Sequence, residues 1–157
     1  MRRTAYAAFV SAADAVRSAM NEMQKAMDLA VPADRRRAYD SAEAARDARK
    51  QAFTTATWAL RLMISHEEQQ LVTDLVQAVT HTSNGLDEWG GLALASAPPG
   101  EISHARREFS DENVILGRQL LRFAGEVHQR LYAPPAPPMR WRDRRSVRRQ
   151  PVQPSQS

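Results

Sequence analysis

Apolar residues return at steps of three and four from the start of the chain. Tyr6, Phe9, Ala13, Val16, Met20, Met23 and Met27 form an unbroken heptad seam. The seam predicts a first helix over residues 3–30 with one narrow apolar face, which another helix has to cover. Residues 35–64 carry an alanine-rich stripe at Ala38, Ala42, Ala45, Ala52, Ala56 and Ala59 that closes on Leu60 and Met63. Small side chains there predict a close antiparallel hairpin, with the bulky residues of the first helix lying on the shallow face of the second. Arg49 interrupts the stripe and is expected to carry its charge out to solvent.

A third segment has a wide apolar face made by Leu71, Val72, Leu75, Val76 and Val79. The polar residues Thr80, Thr82, Ser83 and Asn84, followed by Gly85, predict a bend or an end before Leu86 and Trp89 resume the pattern. A fourth helix, starting near Ser103 or Ser110, sets Phe109, Leu116, Leu120, Phe123, Val127 and Leu131 at heptad-like spacing and stops at Tyr132. Gly117 and Gly125 on it either weaken the helix or admit a neighbour closely.

Punctuation between these segments is clear. Pro32 is expected to end the first helix and Asp34 to cap the second. Ser65 and Glu68 have capping-box spacing at the start of the third. Gly90 and Gly91, then Ala97-Pro98-Pro99-Gly100, predict the main loop. The first helix alone lacks a cap, and Arg2 and Arg3 stand at the end where the helix dipole disfavours cations. Arginine pairs ahead of an amphipathic helix also occur just past the cytoplasmic end of a membrane span, so an apolar segment upstream is one expectation and a frayed terminus the other.

The fold class expected is all-α: an antiparallel three- to four-helix bundle with coiled-coil character over residues 1–132, then a Pro/Arg-rich disordered tail over 133–157. The tail opens with Ala133-Pro134-Pro135-Ala136-Pro137-Pro138, which cannot continue a helix, and the residues after Pro138 are too poor in apolar side chains to fold alone.

Charge is spread unevenly along the chain. The tail holds six arginines against one aspartate, a net +5, so of the chain's formal +4 the first 132 residues carry −1. Arguments about anionic partners therefore belong to the tail. The absence of cysteine removes disulfides, thiolate metal sites and cysteine nucleophiles together. No run approaches the ~20 apolar residues that a membrane span needs, and the expected location is cytoplasmic, at most peripheral to a membrane.

The Arg2-Arg3-Thr4-Ala5-Tyr6 opening, Phe9, the alanine-rich helical hairpin and the capped turn into a valine-rich third helix together resemble the soluble helical part of small actinobacterial proteins. Members of that group often carry an N-terminal membrane helix just ahead of the segment matching Arg2-Arg3; this chain departs from them in lacking it. The resemblance implies a helical fold and lends no activity.

Candidate chemistry is sparse. Glu101 and His104 have the Glu-x-x-His spacing of di-iron bundles, but in a single copy at the mouth of a loop. His66 is followed by Gln70 where a zincin needs its second histidine. His81 and His128 fall on different helices. Asp87 and Glu88 read as solvated charge, the acidic and basic residues alternating along the second helix, Arg46 among them, as pairs that support the helix by tenths of a kcal/mol each, and Trp89 as a ring closing the end of the bundle. No nucleophile elbow, phosphate loop or dinucleotide fingerprint occurs, so no catalytic residue, cofactor or small-molecule substrate is expected.

The tail carries the candidate site instead: Arg140, Trp141, Arg142, Arg144, Arg145, Arg148 and Arg149. Arginines gain up to ~1 kcal/mol each near an anionic membrane, where tryptophan suits the headgroup layer. The same arginines suit nucleic-acid phosphates, and Pro135 to Arg140 also fit a Pro-x-x-Pro-x-Arg groove ligand. The reading is a non-enzymatic interaction or scaffolding protein. Its expected partners are a protein or a second copy packed on spare apolar surface of the third helix, and an anionic membrane; nonspecific nucleic-acid binding is the alternative.

Overall fold

The computed structural model describes residues 1–29 and 31–132, so the tail and its seven candidate residues lie outside the described residues. Four helices succeed one another, α1 (Arg2–Met27), α2 (Pro32–Arg61), α3 (His66–Leu94) and α4 (Pro99–Tyr132). They alternate in direction as an up-down-up-down antiparallel bundle. Phe9 of α1 stacks on Phe53 of α2 with ring centroids 5.3 Å apart, and Trp89 of α3 stacks on Phe109 of α4 at 5.8 Å. The helices pair most closely within each hairpin, and the two hairpins meet more loosely.

The heptad seam is the core. All seven of its residues are buried, joined by Ala19 and Ala26. Phe123 of α4 closes over it, 5.3 Å from Phe9 and 6.2 Å from Tyr6.

The face of α2 is not the alanine stripe. Its buried residues are Tyr39, Arg46, Phe53, Thr57 and Leu60, whereas Ala52 and Ala59 are exposed and Ala38, Ala42, Ala45 and Ala56 half-buried. The helix is rotated toward its large residues. Burying a phenylalanine or leucine is worth about 1.5–3 kcal/mol against about 0.8 for a methyl group, so Tyr39, Phe53 and Leu60 decide the register. Met63 is exposed as a result. The helix starts earlier than expected: Val31 is the cap, Pro32 takes the first helical position and Asp34 sits in the first turn.

Helix α3 runs unbroken through Gly85, Gly90 and Gly91 to Leu94, correcting the expected bend and shortening the loop. Thr82 and Ser83 are buried rather than helix-weakening, and Ser83 Oγ lies 3.4 Å from Lys50 Nζ. Gly90 admits Tyr39, whose hydroxyl would be 2.5 Å from a Cβ at that position. Helix α4 begins at Pro99, ahead of both expected starts, and Gly117 receives the guanidinium of Arg17 in the same way while Gly125 faces open space.

Candidate functional site

The antiparallel arrangement explains the arginines at the start of α1. Arg2 pairs with Glu68 in the first turn of α3. Arg3 donates to the Leu131 carbonyl at 3.3 Å and lies 4.6 Å over the Tyr132 ring, at the negative end of the α4 dipole. Each cation is placed against a group that the opposite helix supplies.

Glu68 is the hub of this end of the bundle. One carboxylate oxygen accepts from the backbone N–H and the hydroxyl of Ser65, each at 2.9 Å; the other accepts from the Tyr6 hydroxyl at 2.9 Å and from Arg2. Burial favours its protonated form, but the Ser65, Tyr6 and Arg2 contacts outweigh it and lower its pKa to about 2. The Tyr6 hydroxyl is pushed up, first by burial and then by its bond to Glu68.

The same end carries apolar side chains that are exposed among the described residues. Leu62 is 86% exposed, Trp58 61% and Tyr132 58%, and Met1 and Met63 are exposed as well. Arg61 lies 5.7 Å over Trp58, and Arg130 is exposed near the end of α4. Tyr132, the last described residue, is also where the arginine-rich tail departs. Arg2 and Arg3 lie at this same end of the bundle.

From this tip an open groove of about 850 Å³ runs between α1 and α4. Its floor is made by Tyr6, Val10, Leu120, Leu121, Ala124 and Val127, with Arg3, Tyr132 and His128 at one end and Arg17, Val114 and Arg118 at the other. Sequence reasoning misses the groove because it credits α4 with one stripe. A second stripe, Val114, Gly117, Leu121 and Ala124 at steps of three and four, is its signal.

The remaining candidates fall elsewhere. Asp87 is not solvated charge: it pairs with Arg46, which is 4% exposed and also meets Asp47 at 3.3 Å. Burial works against the Arg46 charge, and the contacts with Asp87 and Asp47 together more than restore it. Arg49 is half-buried, 3.7 Å from Glu22. Trp89 is buried on Phe109, five residues before the end of α3. His104 is exposed beside Glu108 at 3.3 Å, His81 pairs with Glu112 at 2.7 Å, and His128 lies against Tyr132 with ring centroids 4.6 Å apart. Among the described residues, no three His, Asp or Glu side chains converge as a metal site, and no helix is long and apolar enough to cross a membrane. Among them, too, α3 contributes none of the exposed large apolar residues, which lie at Met1, on the α1–α2 turn (Leu29 and Val31), at the end of α2 and on α4. Comparison of the chain with protein-family models, curated proteins and solved structures found no match.

Proposed function

We propose that this chain is a non-enzymatic interaction module that stands against an anionic membrane surface on one end of its bundle and holds a partner along its flank. The observation that carries the reading is the placement at one bundle end of exposed Trp58, Leu62, Met63 and Tyr132 with exposed Arg2, Arg3 and Arg130. Leu62 and Trp58 gain by entering the headgroup layer, at roughly 25 cal/mol per Å² of apolar surface removed from water. The arginines of the tip and tail gain up to ~1 kcal/mol each from anionic lipid. A single weak anchor gives only marginal binding, and the two together supply the second signal that stable attachment needs.

Nucleic acid competes for the same tail. Phosphates reward arginines but offer nothing to Leu62 and Trp58, which is why the membrane reading accounts for more of the surface. Flotation of the full chain with vesicles of phosphatidylcholine alone and with added phosphatidylserine tests it. Binding is expected only with phosphatidylserine, and is expected to fall at least tenfold in the double variant Trp58→Ser/Leu62→Ser. Retained affinity in that variant, alongside tight and salt-sensitive binding of duplex DNA, would favour the nucleic-acid reading instead.

A further inference from the structure

The groove between α1 and α4 has a length and a charge pattern that specify an occupant. Its arginine ends, Arg3 and Arg17, lie on one helix about 21 Å apart, roughly four helical turns. The groove is open along one side and apolar along its floor, as a cleft for a helix is. Of its lining residues, Leu121 is 77% exposed and Val114 51%.

Charge narrows the choice. Among the described residues none of the groove arginines, Arg3, Arg17 and Arg118, meets a carboxylate, although Arg2, Arg36, Arg46, Arg49, Arg106 and Arg122 all do. Asp14 is the one acid among the groove residues. Two of the arginines are held in place by uncharged contacts. Arg17 donates to Asn113 Oδ1 at 3.2 Å, and the Asn113 amide in turn donates to Asn21 at 2.7 Å; Arg3 is held by Leu131 and Tyr132.

We infer that the groove docks an amphipathic α-helix of a partner protein whose apolar seam is flanked by carboxylates. The partner's seam fills the floor between Val10 and Leu121, and its carboxylates meet Arg3 at one end and Arg17 and Arg118 at the other. The chain's own tail is a poor occupant, since its six arginines would face three more. A second copy laid groove to groove repeats the same conflict. This inference names the partner class for the flank in the proposed function and stands without the membrane half of that reading.

The test uses the full chain in solution, with no lipid. The probe is a synthetic peptide of about 18 residues with leucine on its seam and glutamate on both flanks; a twin carries lysine on the flanks. Fluorescence anisotropy is expected to show the acidic peptide binding at least ~30-fold tighter than its twin, with the gap shrinking in Arg118→Glu and binding lost in Leu121→Ser. Leu121 and Arg118 are exposed, so neither change touches the core. Equal affinity for the two peptides, or indifference of the acidic one to both variants, overturns the inference. So does a dimer that Leu121→Ser abolishes in sedimentation, which assigns the groove to a second copy. Because the chain has no cysteine, the pair Leu121→Cys/Trp141→Cys reports on the tail: rapid intramolecular disulfide formation would assign the groove to it and overturn the inference as well.

Discussion

The Tyr6 hydroxyl donates to the Glu68 carboxylate at 2.9 Å, tying the first turn of α1 to the first turn of α3 across the bundle end. The same carboxylate closes the start of α3 on Ser65 and holds Arg2. One side chain thus serves a helix cap, a helix-to-helix tie and a counter-charge, and its chemistry has a measurable pH signature.

Glu68 is lowered from its ordinary 4.5 to about 2 in the folded protein. A carboxyl with a depressed folded pKa stabilises the fold above its unfolded value and loses that contribution as pH falls to the folded value. Denaturant unfolding from pH 6 down to pH 2 is expected to show stability declining below about pH 4.5, with on the order of 2–3 kcal/mol of the decline belonging to this residue. Glu68→Gln is expected to be less stable at pH 6 and to show a flatter decline. Parallel curves for the two proteins would remove Glu68 from the role given to it.

Two adjacent glycines are predicted to behave oppositely. A methyl group on Gly90 would overlap Tyr39, whereas at Gly91 it meets nothing within 4 Å. Gly90→Ala is expected to lose about 1–3 kcal/mol by forcing Tyr39 from its seat, and Gly91→Ala to gain up to about 1 kcal/mol of helix propensity. Urea melts of the two variants decide this. Equal effects would mean that Tyr39 does not pack on α3 as described.

The buried Arg46 contributes less to stability than its burial suggests. Its Nε has no partner, and it pairs with Asp87 and with Asp47, which remains largely exposed. Removing one member of a buried pair strands the other, while replacing the buried charge by an apolar chain relieves the desolvation cost. Asp87→Ala is therefore expected to destabilise by about 1–3 kcal/mol and Arg46→Met by clearly less. Thermal unfolding of the two single variants measures the order, and the reverse order would contradict this account of the pair.

How far the sequence can be read depends on which residues dominate each face. The seam from Tyr6 to Met27 is legible because it is unbroken and made of large residues, and the capping spacing of Ser65 and Glu68 is legible because it is local. The face of α2 is misjudged because six alanines outnumber Tyr39, Phe53 and Leu60 in a count, while the larger side chains outweigh them in buried area. Helix α3 survives its glycines because Tyr39 fills the space that Gly90 leaves, a contact that depends on a residue far away in sequence. Asp87 looks like solvated charge, and Arg46 like a member of pairs within its own helix, for the same reason: their pairing is made by packing of α2 against α3. The groove stays hidden because an outward apolar stripe has meaning only once the inward one is placed.

The proposed membrane attachment requires the bundle end carrying Trp58 to enter an anionic lipid surface. Of the chain's three tryptophans, Trp89 is buried and silent to solvent, so in the Trp141→Phe variant Trp58 is the accessible reporter. Its emission is expected to shift to the blue and to be quenched by lipids brominated near the headgroup when phosphatidylserine vesicles are added, and to stay unchanged with phosphatidylcholine alone. If the variant binds those vesicles while Trp58 remains fully open to aqueous quencher, the bundle end stays in water and the claim is wrong.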